Sequence, residues 1–518
     1  MNSRGFGSIA AAVAALWGLA ASSGADAQSN NQAEPALAPS DPCAALASVR
    51  LEHASILSIT PVQAGTLPAC RVSVASHPTS DSDIRIEVWI PQGAGWNEKF
   101  VQVGNGGYAG EIHSDSLKAV AARGYVAAGT DDGHQAPTVE TGWALGHPQK
   151  FIDFGWRSLK ETTEVAKALI RVSKGRASTK SYFIGCSDGG REALMEVQRF
   201  PLDFDGVVAG APGNYMARLM TMRAGYYQIL KQPGGFLETP KLQIIENAAL
   251  ADCGGAKTGY ILDPERCRFD PAKLLCKEGR QSDCLTKPEL ASIKAIYGGW
   301  RDPGSGVLRF PGFEPGAETL PVWRATILGR EPEDIDHTAI GYLFAIGYLR
   351  NFAFSDPKFD LMSLDMGQQA LDGVNRTAPV IDAENTDLSQ FRAHGGKLIQ
   401  YHGWNDQNIP PRSSLTYFGL VQKKMGDTSD FYRLFMVPGM LHCTGGRGPN
   451  SVDWLGQLDS WVLQGKAPEA IVARGASPAG TASTTAPQSQ VLCRYPEVAQ
   501  ALPGVPQEGS AAQCIIRR

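Results

Sequence analysis

Short apolar runs that end in glycine-bearing turns recur in the first half of the chain. Three of them are FVQVGNGG (100–107), GYVAAGTDD (124–132) and SYFIGCS (181–187). An apolar run of four to eight residues that stops at a turn signal is typical of a buried β-strand. The sequence therefore predicts three strands in this region.

The stretch between the second and third predicted strands has helical spacing. SLKETTEVAKALIRVSKG (158–175) places Val165, Leu169 and Val172 on one face and closes on a glycine. Strand, helix and strand in this order predict a parallel sheet covered by helices.

Two regions with this pattern flank a stretch of different character. Apolar runs that end in polar turns return in KLIQYHGWND (397–406) and FYRLFMVPGMLHC (431–443). Within residues 214–387, prolines and glycines accumulate, four cysteines lie close together and strand signals fade. We predict an α/β core formed by residues 41–213 and 388–518, with residues 214–387 inserted as a lid domain.

The N-terminal segment has the pattern of an export signal. One arginine precedes an apolar run, and the small-x-small sequence Ala25-Asp26-Ala27 follows it. We predict a signal peptide over residues 1–27 and a flexible lead-in over residues 28–40. A membrane anchor is the alternative, although the apolar run is short for a span. Export to the periplasm or the outside of the cell permits disulfides among the ten cysteines.

The charge balance argues against two classes of partner. The formal net charge is -4, so no basic excess is present to neutralise phosphates or to hold an anionic membrane surface. We expect no nucleic-acid partner and no membrane partner, and the sequence leaves the oligomeric state open.

Ser187 is the candidate nucleophile. It stands between Gly185 and Gly189, after a predicted strand and before a predicted helix. A G-x-S-x-G elbow lifts the serine on a tight turn in which only very small residues fit two positions before and after it. With 57 glycines in the chain, the pattern alone is weak. The strand before it and the helix after it favour the nucleophile.

The acid and then the base of such a hydrolase follow the serine, each on a turn after a later strand. His442 lies in the turn PGMLHCTGG after a predicted strand, whereas His337 lies in the insertion and His394 precedes a strand. His402 competes with His442, because its spacing to Asp406 also suits a metal ligand or a different base. We predict that Asp406 orients His442; a turn-capping aspartate is the alternative.

Two cysteines adjoin the proposed nucleophile and base. Cys186 precedes Ser187 and Cys443 follows His442, so a bond between them would join the two covalently. In the chain-entropy model a disulfide that closes so long a loop contributes on the order of 5 kcal/mol to the free energy of unfolding. Two independent thiols are the alternative, which an oxidising compartment disfavours.

An oxyanion needs at least two preorganised donors. We predict the backbone amide of Asp188 as one of them. The other comes from GNGGYAG (104–110), where we choose Gly107 over Gly106.

With these residues in place, the chain resembles the tannase and feruloyl esterase family, whose catalytic serine and histidine each adjoin one half of a disulfide. The matching segments are GNGGYAG, GCSDGGREALMEVQRFPLDFDGVVAGAP, GGKLIQYHGWNDQNIPP, FYRLFMVPGMLHCTGG and LCRYPEVA. The resemblance implies an α/β-hydrolase core with a lid inserted after the nucleophile helix. It also implies hydrolysis of esters of aromatic acids such as gallate, ferulate or mono(2-hydroxyethyl) terephthalate.

The resemblance further implies disulfides besides the one at the catalytic residues: Cys43 with Cys70, Cys253 with Cys267, Cys276 with Cys284, and Cys493 with Cys514. Family members usually carry a calcium loop in the lid, but DCGGAKTGYILDPERC retains only Asp252 and Asp263. Calcium takes roughly six to eight oxygens, so this structural calcium site is doubtful and we assign no metal ligand. Many members also have threonine where Asp188 stands, so Asp188 would add a carboxylate near the oxyanion.

We therefore expect an exported serine esterase that acts on small aromatic esters through an acyl-enzyme, without a cofactor for catalysis. Three alternatives stay open: an exported phenolic-ester-binding protein without turnover, a hydrolase of non-aromatic esters, and a metal-dependent hydrolase that uses His402 and Asp406. Four aromatic residues of the insertion could form either lid core or pocket wall: Trp323, Tyr342, Phe344 and Phe352.

Overall fold

The computed structural model describes residues 43–277, 282–475, 489–501 and 512–516. The predicted signal peptide and the predicted flexible lead-in lie outside the described residues. Within the described ranges, no helix combines the length and apolarity that a membrane span requires.

Nine strands form one central sheet in the order β1-β2-β3-β5-β4-β6-β7-β10-β11. The last six strands of this order pair in parallel, and the first three add an antiparallel edge. The bounds are β1 Ala54–Ala64, β2 Leu67–Ser76, β3 Ile84–Pro91, β4 Lys99–Val103, β5 Val126–Thr130, β6 Lys180–Cys186, β7 Gly206–Gly210, β10 Lys397–Gly403 and β11 Tyr432–Val437.

Six shorter strands form three antiparallel pairs outside this sheet. They are β8 Trp300–Arg301 with β9 Leu308–Phe310, β12 Ala470–Arg474 with β13 Ser489–Cys493, and β14 Glu497–Ala501 with β15 Ala512–Ile516.

The described residues contain fourteen α-helices. Their bounds are α1 Ser114–Ala121, α2 Pro148–Ile152, α3 Ser158–Lys174, α4 Asp188–Arg199, α5 Met216–Leu230, α6 Thr239–Asp252, α7 Lys287–Gly298, α8 Pro321–Ile327, α9 Ile335–Thr338, α10 Ile340–Gly347, α11 Gln368–Ile381, α12 Ser389–Ala393, α13 Arg412–Met425 and α14 Trp454–Gln464.

Helices cover both faces of the sheet. The larger apolar core lies on the face where α3, α4 and α13 pack, and it extends into the helices between β7 and β10. A second core lies on the opposite face, where α1 and α14 pack. This is the α/β fold that the alternation of strands and helices predicts.

The predicted strands and helix of the first half are confirmed, with one correction. The helix ends before Gly175, which adopts the left-handed conformation at φ 67°. Val165 and Leu169 are buried, but Val172 is 43% exposed because the buried face continues through Ile170 instead.

Seven of the described helices, α5 to α11, and the β8–β9 pair lie within residues 214–387, which we call the insertion. The insertion rests on the loops that follow β4 and β5. The Tyr108 hydroxyl donates to the Phe344 carbonyl at 2.8 Å, and the Asn351 side chain donates to Thr141 at 2.8 Å.

The carboxyl ends of parallel strands meet at one edge of a sheet. Ser187 follows β6, Asp406 follows β10 and His442 follows β11. These three strands, with β7 between them, are consecutive in the sheet. The fold therefore brings the three predicted residues to the same edge.

Candidate active site

Ser187 occupies a sharp turn between β6 and α4. Its φ of 68° and ψ of -120° lie in a region that side-chain-bearing residues rarely adopt, at a cost of about 1 to 3 kcal/mol. The turn is held by the Ser187 amide, which donates to the Gly210 carbonyl at 3.0 Å. The Ser187 carbonyl accepts from the Gly213 amide at 3.0 Å.

The two glycines of the motif are required by close backbone contacts. A Cβ atom at Gly185 would lie 2.3 Å from the Gly189 oxygen, and one at Gly189 would lie 2.8 Å from the Asn105 oxygen. Real Cβ atoms do not approach this closely, so a larger residue at either position would open the turn.

His442 and Asp406 form a hydrogen-bonded pair. The Nδ1 atom of His442 lies 2.7 Å from Oδ2 of Asp406. The other carboxylate oxygen accepts from the Asn408 amide at 2.7 Å and from the Ile409 amide at 2.8 Å. The His442 amide donates to the Gln407 side chain at 3.2 Å. The pair is therefore fixed on both sides.

Electrostatics keep Asp406 ionised. Its burial alone would raise the pKa of the carboxyl, but His442 and His402 outweigh that effect and hold the pKa below its usual value. A buried carboxylate next to an imidazole favours the Nδ1-protonated ring and stabilises the imidazolium.

His402 is a buried neighbour of this pair. Its Nδ1 lies 2.7 Å from the Ser414 hydroxyl, and its Nε2 lies 3.0 Å from the Ile409 carbonyl and 3.2 Å from Asp406. Both ring nitrogens are thus occupied inside the core, which leaves neither of them to face a substrate. The other two candidates, His337 and His394, are exposed.

A disulfide joins the two halves of the site. Cys186 is bonded to Cys443 across 257 positions of sequence, with their Cα atoms 5.9 Å apart. Ser187 follows one end of this bond and His442 precedes the other. Four further disulfides join the pairs that the resemblance implies: Cys43–Cys70, Cys253–Cys267, Cys276–Cys284 and Cys493–Cys514.

The loop GNGGYAG runs beside the start of α4, and we call residues 104–107 the oxyanion loop. Most amides of this segment already have an acceptor. Gly104 donates to Ile184, Tyr108 to Thr138, Ala109 to Gly106 and Gly110 to Asp131, and Asn105 donates to Glu192. Gly107, at φ 64°, cannot carry a side chain, because a Cβ would lie 1.9 Å from the Thr138 hydroxyl oxygen.

The carboxylate of Asp188 is paired with a buried guanidinium. Arg191 donates to both of its oxygens, with Nη2 at 3.1 Å from Oδ2. Arg191 also donates to the carbonyls of Gly155 at 2.7 Å and Phe154 at 3.1 Å. Both side chains are buried, so Asp188 adds an internal ion pair here and not a free negative charge.

The residues of the suspected calcium loop do not fit a calcium ion. Lys273 pairs with Asp252 and Arg266 pairs with Asp263, so protein cations already meet both carboxylates. In the described part of the chain, the one group of three acidic, histidine or cysteine side chains with ligand atoms close enough for a metal is Asp132, Asp188 and Glu192. Because Arg191 binds both oxygens of Asp188, we assign no metal there.

Sequence reasoning missed several residues that build the site. Glu192 holds the Asn105 amide at 3.0 Å, and Gln407 holds the His442 amide. Asp188 and Glu192 stand four positions apart on one helix, a like-charge spacing that is normally unfavourable. That pairing, directly after the nucleophile, is the signal in the sequence that could have identified Glu192.

The four aromatic residues considered for the insertion differ in exposure. Trp323, Tyr342 and Phe352 are buried in the larger core. Phe344 is partly buried, and its ring packs edge-on against Tyr108 with centroids 5.1 Å apart. Phe344 therefore lies next to the residue that follows the oxyanion loop.

Comparison with known proteins identifies the family of this chain. A sequence profile of the family described as "Tannase and feruloyl esterase" matches residues 70–515. The chain belongs to this family.

Members of the tannase and feruloyl esterase family match over most of their length. An uncharacterised esterase of Xanthomonas campestris pv. campestris is 37% identical over 516 aligned positions, which cover 88% of each chain. A probable feruloyl esterase B-2 of Aspergillus terreus is 30% identical, with 84% of this chain and 83% of that protein covered.

Solved structures of the family share the fold. Feruloyl esterase B from Aspergillus oryzae superposes with a TM-score of 0.82 at 26% identity, covering 92% of this chain and 100% of that one. Tannin acyl hydrolase from Aspergillus niger superposes with a TM-score of 0.68 at 19% identity, covering 91% and 94%. The protein is accordingly a carboxylic ester hydrolase of the tannase and feruloyl esterase family.

Proposed function

We propose that this protein is an exported serine esterase that cleaves esters of small aromatic acids with Ser187, His442 and Asp406. The Cys186–Cys443 disulfide carries the proposal, because it joins the residue before the strained serine to the residue after the histidine that is hydrogen-bonded to Asp406. The strained elbow and the ionised, buried aspartate match the roles of nucleophile and orienting acid.

The reaction has two halves. In the first, the Ser187 hydroxyl oxygen attacks the ester carbonyl carbon while His442 takes the hydroxyl proton. His442 then gives that proton to the leaving alcohol as the carbon–oxygen bond breaks, which leaves an acyl-enzyme. In the second half, His442 deprotonates water, the water oxygen attacks the acyl carbon, and the acid leaves as the proton returns to Ser187. Asp406 holds the ring throughout.

The amide inventory supports the proposed oxyanion donors. After the start of α4, the Gly189 amide donates to Asn105, and the Gly190 and Arg191 amides donate to Ser187. This leaves the Asp188 amide for the oxyanion. In the oxyanion loop the amides of Gly104 and Asn105 already have acceptors. The amides of Gly106 and Gly107 are left, and we retain Gly107 as the second donor.

The aromatic substrate class is supported by the named relatives and by the insertion. Relatives that match this chain are named feruloyl esterases, and the insertion places Phe344 beside Tyr108. We take the insertion to be the lid that shapes the acid pocket. Export is supported by the five disulfides of the described chain, since such bonds persist in oxidising compartments.

The first experiment measures which acid is released. We expect the enzyme to release acid from at least one of methyl ferulate, methyl gallate and mono(2-hydroxyethyl) terephthalate, and to do so equally well with a chelator present. Methyl propanoate serves as the matched non-aromatic ester. Faster hydrolysis of methyl propanoate would reject the aromatic class, and inhibition by the chelator would favour the metal-dependent alternative. Binding of an aromatic ester without product would favour the binding protein.

Loss of the disulfide at the site should lower the turnover of enzyme that is still folded. We expect Cys186→Ala/Cys443→Ala to lower kcat at least about tenfold, because small displacements of reacting groups are costly. Circular dichroism and the melting temperature report whether the variant is folded. The matched control is Cys493→Ala/Cys514→Ala, which removes the disulfide between β13 and β15. Equal kcat in both double variants would contradict a role for the bond in the site.

A further inference from the structure

A group of charged side chains is buried directly behind the nucleophile. Asp132, Asp188, Arg191 and Glu192 are each at most 2% exposed. Carboxylate oxygens of the three acids lie within 4.8 Å of one another. Three ionised carboxylates around one guanidinium would leave an uncompensated charge of two in the core, which is strongly unfavourable.

Glu192 touches the oxyanion loop from behind. Its Oε2 atom accepts from the Asn105 amide at 3.0 Å and lies 2.6 Å from the position that a Gly104 Cβ would take. Asn105 is fixed further by its side chain, which donates to the Thr130 carbonyl at 2.8 Å. The Asn105 carbonyl accepts from the Gly189 amide at 2.8 Å. Glu192 therefore supports the loop two residues before Gly107.

The other end of Glu192 meets Asp132. Carboxylate oxygens of the two residues lie within 4.8 Å of each other, and two buried carboxyl groups this close can share a hydrogen bond only if one carries a proton. Among the described residues, Glu192 Oε1 and Asp132 Oδ2 are each buried without a hydrogen-bond partner. The second oxygen of Asp132 already accepts from the Ser158 hydroxyl at 2.9 Å. A proton shared between Oε1 and Oδ2 would satisfy both of these oxygens.

The environment indicates which residue holds the proton. Burial, followed by the charge of Asp132, raises the pKa of Glu192 well above its usual value. Burial raises the pKa of Asp132 to about 6. Both carboxyls therefore favour the protonated form more than a free acid does, and we assign the shared proton to Glu192, with Asp132 as the acceptor.

From this geometry we propose that Glu192 is a positioning residue that holds the oxyanion loop in its protonated form, with Oε1–H donated to Asp132 and Oε2 accepting from Asn105. Deprotonation would place two adjacent carboxylates in the core and push Glu192 away from Asp132. The loop would then lose its fixed support, and with it the placement of the Gly107 amide. This inference rests on the proposed serine esterase function.

Other charged groups near this pair come from several elements. Asp188 and Arg191 lie on the same helix as Glu192, and Asp132 follows β5. The carboxyl of Asp382 in the insertion interacts electrostatically with Arg191, and the buried Tyr108 hydroxyl interacts with Asp188. Arg191 is the positive charge in this set, and it is committed to Asp188.

The test compares a substitution that keeps both hydrogen bonds with one that removes them. In Glu192→Gln, the amide oxygen can accept from Asn105 and the amide NH₂ can donate to Asp132, so we expect kcat within about threefold of wild type at neutral pH. Glu192→Met has a similar shape but no hydrogen bonds. We expect it to lower kcat by about 10- to 100-fold with KM changed less than about threefold.

The pH profile separates this role from simple packing. We expect wild-type kcat to fall on the alkaline side as Glu192 ionises, and Glu192→Gln, which cannot ionise, to keep its kcat to higher pH. Because the folded-state pKa of Glu192 is raised, its contribution to stability is lost as the pH rises through that value. Glu192→Gln should therefore gain melting temperature relative to wild type as the pH rises.

Glu196 provides the matched control. It lies one turn further along α4, is 1% exposed and has a pKa raised by burial, but its charged neighbours are Asp203, Lys160 and Lys167. We expect Glu196→Gln and Glu196→Met to change melting temperature while leaving kcat per folded molecule near that of wild type.

Three results would overturn the proposal: wild-type kcat in folded Glu192→Met, equal loss of kcat in Glu192→Gln and Glu192→Met, or an identical alkaline limb in wild type and Glu192→Gln. Failure of the proposed function would look different, because the wild-type enzyme itself would show no turnover that depends on Ser187. In that case the infrared band of a protonated carboxyl, present in wild type and reduced in Glu192→Gln, still reports the protonation state.

Discussion

Ser187→Ala is expected to lower kcat by about four orders of magnitude or more, because it removes the atom that forms the acyl-enzyme. The remaining rate would come from substrate binding and the oxyanion donors alone. The fold should be retained, since Ser187 already has a Cβ at φ 68° and alanine adds no backbone strain. KM, or the dissociation constant of a product acid, should change little.

Two measurements check this expectation. Initial rates on whichever aromatic ester the wild type hydrolyses give the loss of kcat. Mass spectrometry after treatment with an organophosphate should show one covalent adduct in the wild type, on the peptide that contains Ser187, and none in the variant. Ser389→Ala, at an exposed serine, is the control. Substantial turnover by folded Ser187→Ala would place the nucleophile elsewhere.

Asp406→Asn is expected to lower kcat by about three to four orders of magnitude. The amide can still place its oxygen toward the amides of Asn408 and Ile409, which then turns its NH₂ group toward His442 Nδ1. A donor at that position favours the ring with its proton on Nε2, and this tautomer cannot accept the Ser187 proton. The loss should appear in kcat more than in KM.

The neighbouring histidine provides the control for Asp406. His402 contacts the same carboxylate but bonds Ser414 and Ile409. We expect His402→Gln to reduce melting temperature and to lower kcat by about tenfold or less. Activity of Asp406→Asn within tenfold of wild type would contradict the assigned role.

The depressed pKa of Asp406 adds a stability test. A lowered carboxyl pKa contributes stability above the unfolded-state value of about 4 and loses it as the pH falls through the folded-state value. The difference in melting temperature between wild type and Asp406→Asn should therefore be constant near neutral pH and shrink in strong acid.

Much of the architecture could be predicted from short-range patterns. The strands near Phe100, Val126 and Tyr182 show continuous apolar runs because they are buried on both faces. The antiparallel edge strands had no such signal, since β1 carries mixed polar and apolar residues and is largely exposed. β1 and β3 both pair with β2, and the local sequence of a strand does not reveal its partner.

The candidate site was predicted unevenly for a physical reason. Ser187, Asp406 and His442 each follow a strand, so a local motif and the order along the chain were enough to propose them. Val172 was wrongly predicted to be buried. Both Ile170 and Val172 are compatible with an apolar stripe that contains Val165 and Leu169, and the helix buries Ile170. Glu192 and Asp132 were missed because a buried acid is indistinguishable in sequence from a solvated one.

The bond between Cys186 and Cys443 encloses the whole insertion within a covalent ring. The strands at its two ends, β7 and β10, are direct neighbours that pair from Gly206 with Lys397 to Gly210 with Tyr401. The insertion thus leaves the core and returns to it between fixed points. Its length and sequence can change during evolution, or be exchanged in an engineered chimera, without separating nucleophile from base. On the proposed function, exchanging the insertion would change the acid pocket while the bond still joins the residues next to Ser187 and His442.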